Sequence, residues 1–512
     1  MRTQPLPRRG FCKTDAASQA IMRLVRSLDE SNLGIHALMV VQGGEVLSEH
    51  YWAPYASHKP HTLFSVSKTL TALAVGFAIQ DGCLGMDDCV VSYFRDLLPA
   101  KTCENMEKTT IRHLMTMSTG FAADPHDFNW PRDTDVLATG PHCYYNGIET
   151  HTIDWAKNFF NHYVPFEPGK RFMYCTHASY MLAVLVQRAT GQTAHDYLKD
   201  RLFEPLGIAG TSWEKCPQGY NVGGWGLMMK LEDLAKIGLF LLHSGQWQGK
   251  QLLDAQWVYE ATTPQVLLGE HHRQDSNINF LGYGYQLWVD SRAGAFSARG
   301  AFGQGCLVLR QQDAVITWFS GADARQSTKI SELMWEMLIP ALSGQVGTSV
   351  DGDVESYVEK PLCMPLPEGL PSPKSGVALN FSGKRYLFAP NSLGFTSITL
   401  AFGEKQDSLM LGWKNKEFSV PVGHSCWAQG KTCVPTDQTD TDVSILFESV
   451  SCAGAWQGDR YLLDMCFDET SYISTLEITY DNEAVVVKHH RNCSFMACTD
   501  TYMVGILAVE TS

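Results

Sequence analysis

The chain has 512 residues, 45% of them hydrophobic and 18% charged, enough to bury a sizeable core and to form two or three domains. A net charge of −14, with no Lys/Arg run longer than Arg8-Arg9, excludes the basic footprint of a nucleic-acid or anionic-membrane binder. No segment reaches the roughly 18 apolar residues of a membrane span, and the first thirty residues lack the apolar core of a secretion signal, so the expectation is a cytoplasmic protein.

Taken in chain order, residues 1–30 read as a polar N-terminal leader. Ile35–Val41 and Glu45–Tyr51 then flank Gln42-Gly43-Gly44, the pattern of a β-hairpin. In Leu63-Phe64-Ser65-Val66-Ser67-Lys68-Thr69-Leu70 a serine stands three residues ahead of a lysine, where a loop enters an apolar stretch that stops at Asp81-Gly82. Residues three apart share a helix face, so the Lys68 amine lies beside the Ser65 hydroxyl at a helix N-terminus. Burial is expected to depress the lysine pKa and leave an amine able to take the serine proton. Ser65 alone fits a helix N-cap beside a solvated lysine equally well. A second copy, Ser212-Trp213-Glu214-Lys215, runs into Cys216-Pro217-Gln218-Gly219 and reads as loop.

Helical periodicity continues at 110–117, 151–161, 177–190, 194–203 and 230–244. Strands return at 282–289, 303–309 and 314–319, and 327–342 reads as a closing helix. The two early and three late strands are expected to form one antiparallel sheet with helices on its faces, an α/β arrangement. Gly and Pro crowd 344–375, which reads as a linker, and 376–512 shows short strands between turns, a separate all-β domain. The expected units are therefore 1–30, 31–343, 344–375 and 376–512.

Fifteen cysteines scattered from Cys12 to Cys498 without a C-x-x-C pair fit free thiols in a reducing compartment. His271-His272 and His489-His490 are adjacent rather than at ligand spacing, and no metal is expected. The glycine groups at 223–226 and 300–305 lack the strand, helix and charged residue of a nucleotide loop, so no cofactor is expected.

The motifs Ser65-Val66-Ser67-Lys68, Ile111 to Gly120, Phe166 to Tyr174, Glu204-Pro205-Leu206-Gly207 and Gly223-Gly224-Trp225-Gly226-Leu227 occur in one order. Over about 30–340 that order resembles the serine β-lactamase and penicillin-binding-protein-like hydrolases. The resemblance implies the β-lactamase-like fold, with Ser65 as acylated nucleophile, Lys68 as proton acceptor and Tyr174 as proton shuttle to the leaving group. It puts the third motif at Ala298-Arg299-Gly300-Ala301, where the Ala301 N–H joins that of Ser65 as oxyanion hole, Gly300 lets the strand approach the substrate, and Thr176 closes the second motif. It also suggests that the C-terminal domain is a lipocalin-like or barrel appendage packed on the catalytic one.

Two departures bear on the substrate. Thr176 stands where relatives carry asparagine or serine, and Ala298 stands where they carry a cation that binds carboxylates. Adjacent strand residues face opposite ways, so Arg299 is not expected to replace it. The pattern looks more like esterases and amidases resembling 6-aminohexanoate-dimer hydrolase. The expected function is a serine hydrolase of a small ester or amide, working without metal or cofactor, nucleic acid or membrane. The alternatives are a β-lactamase or D-Ala-D-Ala carboxypeptidase, and a non-catalytic binding or regulatory protein of the same fold. The acyl group and the oligomeric state are not legible.

Overall fold

Gly43 and Gly44, at φ 59° and 78°, turn strand β1 (Ile35–Gln42) back onto β2 (Glu45–Tyr51), so the expected hairpin forms with Gln42 opposite Glu45. A computed structural model of the chain describes residues 4–122, 154–268, 280–345, 356–370, 380–432 and 449–508, apart from 293, 415, 482, 496 and 497. The hairpin continues into an antiparallel sheet with β3 (Val266–Leu267), β4 (Phe280–Tyr283), β5 (Trp288–Asp290), β6 (Ala295–Arg299), β7 (Gly305–Leu309) and β8 (Ala314–Ser320). The order across it is β2-β1-β8-β7-β6-β5-β4-β3.

Helices cover both faces. On one, α2 (Ser67–Gln80), α3 (Thr176–Thr190) and α4 (Leu231–Leu242) enclose a large core that includes Leu70, Leu73, Met181, Leu185, Leu234 and Ile237. On the other lie α1 (Ala16–Glu30) and α5 (Ala324–Leu333), with Ile21, Leu24, Val25, Leu28 and Ile330 packed beneath the sheet. This is the layered α/β arrangement expected, with apolar residues from the sheet and from helices on both faces forming the two cores.

Two stretches differ from the sequence reading. Residues 16–30, read as part of a leader, form α1: Asp15 caps it by accepting from the Ser18 N–H, and Ala17, Ile21, Leu24, Val25 and Leu28 fall on one helical face. The interspersed arginines and Asp29 hid that stripe. The single strand read at 282–289 is two strands. Gln286 takes φ 58°, and a Cβ on Gly284 would lie 2.1 Å from the Ala261 carbonyl oxygen, so the chain turns there against the end of a helix. The helix read at 151–161 appears as Trp155–Phe160, residues 151–153 lying outside the described residues.

The C-terminal part is a barrel of β9 (Arg385–Phe388), β10 (Phe395–Ala401), β11 (Gln406–Trp413), β12 (Lys416–His424), β13 (Ala428–Lys431), β14 (Ser449–Gln457), β15 (Arg460–Cys466), β16 (Ile473–Asp481), β17 (Ala484–Arg491) and β18 (Thr501–Leu507). Nine of these close the cylinder in the order β12-β11-β10-β9-β18-β17-β16-β15-β14, sealed where Gly423 and His424 pair in parallel with Ala453 and Gly454; β13 lies alongside β14. Buried and exposed residues alternate along β11 and β16, and Leu409, Leu411, Trp456, Tyr461, Leu476 and Ile478 fill the interior.

The turn between β15 and β16 seats on the first unit. Thr62 N–H donates to the Glu469 carbonyl at 2.9 Å, Tyr55 Oη to the Thr470 carbonyl at 3.1 Å, and Lys59 pairs with the fully buried Asp468 at 2.7 Å. No helix among the described residues is long and apolar enough to cross a membrane.

Candidate active site

Ser65 sits in a single 3₁₀ turn, Phe64–Val66, that feeds α2. Ser65 is half-buried, whereas Lys68, one turn on, is only 1% exposed. Lys68 Nζ donates to Ser65 Oγ at 3.0 Å and to the Gly224 carbonyl at 2.8 Å. The N-cap alternative does not describe this serine, because Ser65 is not the residue that caps α2 and its lysine is buried rather than solvated.

The segment around Gly224 clasps the first turn of α2. Thr71 Oγ1 donates to the Gly223 carbonyl at 2.7 Å, Leu227 N–H donates to Ser67 Oγ at 3.2 Å, and Leu63 N–H donates to the Leu227 carbonyl at 2.9 Å. A Cβ at Gly224 would stand 2.7 Å from Thr176 Cγ2, too close to fit without displacing it, and 3.5 Å from Lys68 Nζ, in ordinary contact. Thr176, the first residue of α3, thus packs on the glycine that holds the lysine.

Tyr174 is delivered by an extended segment whose neighbours bond to Met117: Met173 N–H donates to the Met117 carbonyl at 2.8 Å, and Cys175 N–H to its Sδ at 3.1 Å. Its ring stacks on Trp288, centroids 5.6 Å apart and 12° between planes, and Lys68 Nζ lies 5.0 Å from its centroid. Phe172, Phe280 and Tyr283 back this pair, and burial holds the Tyr283 phenol well above its ordinary pKa, so it stays neutral. Beneath them Gln286 ties three elements. It donates to the Leu114 and Met115 carbonyls at 3.0 and 3.1 Å, accepts from Ser179 Oγ at 2.6 Å, and receives Thr69 Oγ1 on its backbone carbonyl at 3.1 Å.

On β6 the side chains of Ala298 and Arg299 part as the strand pleat requires. Ala298 faces Val66, Thr69 and Leu70 of the serine turn and α2. Arg299 goes to the far side, donating to Ser297 Oγ at 3.1 Å and Ser331 Oγ at 2.9 Å with its guanidinium 4.9 Å from the Trp318 ring centre. Burial pushes its pKa down to about 10, so it stays cationic at neutral pH, but turned away from Ser65. A Cβ at Gly300 would sit 2.6 Å from the Leu63 carbonyl oxygen and 3.4 Å from Phe64 Cβ. The glycine therefore lets the strand abut the serine turn itself. Among the described residues, neither the Ser65 nor the Ala301 N–H has a backbone acceptor.

The expected residues Ser65, Lys68, Tyr174 and Thr176 thus converge, with Gly300 and Ala301 at the abutting strand end. The sequence reading missed the Gly224 carbonyl, Gln286 and Trp288. Gly223-Gly224 was a signal for the first, since paired glycines mark close backbone approach; nothing local marked the other two. The second S-x-x-K, read as loop, instead begins on a two-residue strand, Ser212–Trp213, paired with Leu227 and Met228. His489 sits on β17 against Ser474 Oγ at 3.2 Å, and the pair His271-His272 lies outside the described residues.

The family described as Beta-lactamase matches residues 23–332. The chain is 24% identical over 316 residues to the 6-aminohexanoate-dimer hydrolase of Paenarthrobacter ureafaciens, covering 57% of this chain and 78% of that one. It is 28% identical over 205 residues to the D-aminopeptidase of Brucella anthropi, a match spanning 37% of this chain and only 35% of the relative. Among solved structures, EstCE1, a hydrolase with promiscuous acyltransferase activity, superposes with a TM-score of 0.51 at 17% identity, over 62% of this chain and 99% of its own. With more than half of its length matched, the chain belongs to the beta-lactamase family and is a serine hydrolase of that family.

Proposed function

We propose that this hydrolase cleaves a small ester or amide through an acyl-Ser65 intermediate. The observation that carries the reading is the Lys68 amine, held between the Ser65 hydroxyl and the Gly224 carbonyl. A neutral amine keeps one N–H on that carbonyl and turns its lone pair toward the serine proton. Ser65 Oγ then attacks the substrate carbonyl carbon as its proton passes to Lys68. Tyr174, beside Lys68, relays that proton to the leaving oxygen or nitrogen as the scissile bond breaks. Water attacks the acyl ester in the second half, giving its proton back along the same route, and releases the acid and free Ser65.

The Ser65 and Ala301 N–H groups are the proposed oxyanion donors, with Gly300 and Thr176 shaping the floor of the site. Ala298 supplies no cation, and Arg299 is turned to Ser331 and Trp318, which favours a neutral acyl group over the carboxylate-bearing substrates of a β-lactamase or carboxypeptidase. We propose units at 31–343, 344–375 and 376–512, with α1 of residues 1–30 packed on the sheet of the first, and place the protein in the cytoplasm, where fifteen cysteines can remain reduced.

Intact-mass analysis after exposure to a fluorophosphonate, with peptide mapping, tests this. One adduct at Ser65, lost in Ser65→Ala, is expected. A folded chain that gains no mass would favour a binding role instead.

A further inference from the structure

Both backbone segments that carry the proposed oxyanion donors are flanked by a phenylalanine at positive φ. Phe64, just before Ser65, has φ 45°, and Phe302, just after Ala301, has φ 58°. A β-carbon disfavours that region, so such residues persist where their surroundings over-determine them. Here the surroundings come from both units: Ala322 N–H and Ser320 Oγ donate to the Phe302 carbonyl at 3.0 and 2.7 Å, while the rings lie against the barrel.

The Phe64 and Phe302 rings meet edge to face with centroids 5.1 Å apart. Each also contacts the same two barrel rings. Tyr472 lies 6.2 Å from Phe64 and 5.6 Å from Phe302, and Phe495 lies 6.0 and 4.7 Å from them. Hydrogen bonds repeat the pattern on either side. Thr62, three residues before Ser65, donates its N–H to the Glu469 carbonyl at 2.9 Å. Gln304, three residues after Ala301, donates Nε2 to Ser471 Oγ at 2.6 Å, and Ser471 in turn donates to the Ser320 carbonyl at 2.8 Å. The β15–β16 turn and Phe495 thus grip both halves of the hole at matching points.

We infer that the C-terminal barrel, through Tyr472 and Phe495, is a positioning element for the oxyanion hole, fixing the directions of the Ser65 and Ala301 N–H groups. This rests on the acyl-Ser65 reading. Neither barrel residue touches substrate; both act through Phe64 and Phe302. The geometry matters because a donor displaced by about 1 Å costs on the order of 100-fold in rate, close to the cost of deleting one. It also explains why a hydrolase core carries a barrel pressed against its nucleophile turn rather than tethered at a distance.

The test uses the full chain with Phe495→Ala. Phe495 is 49% exposed, so shortening it leaves the barrel interior filled. Active sites are first counted by fluorophosphonate mass gain, and kcat and KM for p-nitrophenyl acetate are then measured per titrated site. The expected result is a full count of sites, an unchanged Tm, KM within about twofold and kcat lower by about 10- to 100-fold. Phe495→Leu is expected to recover most of that loss, and it serves as the variant if the alanine chain folds poorly. An unchanged kcat per titrated site in a folded Phe495→Ala chain overturns the inference, as does a loss that follows only the number of folded molecules. Wild-type protein that labels elsewhere than Ser65, or not at all, contradicts the acyl-Ser65 reading itself and removes the inference with it.

Discussion

Lys68 makes two hydrogen bonds from one buried nitrogen, and the second, to the Gly224 carbonyl, fixes where the first can point. Tyr174 is held differently, by stacking on Trp288, with the same lysine near its ring. The two roles of that tyrosine are therefore separable. Tyr174→Phe keeps the stack and loses the hydroxyl, so kcat is expected to fall by about 10²- to 10⁴-fold with an unchanged thermal midpoint. Steady-state kinetics beside calorimetry checks this; a phenylalanine variant with normal kcat would remove Tyr174 from proton transfer. The serine and lysine were legible because helical spacing alone sets them side by side. The Gly224 carbonyl was not, since a backbone acceptor has no side-chain signature, and only the pair of glycines hinted at a close approach.

Elements meet at Gln286, whose amide satisfies two carbonyls at the end of the 111–115 helix and a hydroxyl on α3 while its own carbonyl receives Thr69 from α2. Gln286→Ala strands buried polar groups on two helices and is expected to destabilise the fold by about 3 kcal/mol. Denaturant unfolding should show a lower midpoint with an unchanged slope, and a midpoint equal to that of the wild type would contradict this role. The same residue explains the misread strand at 282–289. Tyr283, Tyr285, Leu287 and Val289 alternate like one strand, but the turn at Gln286 is dictated by partners more than a hundred residues away. Helix α1 escaped for the opposite reason: its apolar stripe is regular but narrow, and the sheet it covers is built from strands far along the chain.

At the scale of the whole molecule, a buried imidazole pair lies where the α/β unit meets the barrel. His61 Nδ1 is 2.8 Å from the Thr62 carbonyl, so that nitrogen carries a proton and Nε2 accepts from His36 Nδ1 at 3.2 Å. Tyr55 stacks on His36 at 3.8 Å and bonds to the barrel turn through Thr470. Both rings are neutral: burial pushes His61 down to about 4 and His36 well below its ordinary value. The unfolded chain binds protons that the folded one refuses, so stability is full at neutral pH and falls as pH drops from about 6.5 toward 4. Denaturation midpoints at pH 7.5 and 5 are expected to differ in that direction, with His61→Asn flattening the difference; a midpoint that rises on acidification would contradict the assignment. An α/β unit followed by an all-β unit was legible from strand spacing and the Gly/Pro-rich stretch, and the barrel form only from the family resemblance. The seam between the units was not, because Thr62, Glu469 and Ser471 acquire their roles only when both units are folded.

The central claim is that turnover passes through an ester on Ser65. Acid quenching during steady-state hydrolysis of p-nitrophenyl acetate, followed by peptide mapping, tests it most directly. An acetyl group on the peptide containing Ser65, absent in Ser65→Ala together with the hydrolysis, is the predicted result. Hydrolysis that persists in Ser65→Ala, or an acetyl group carried by a different residue, would contradict it.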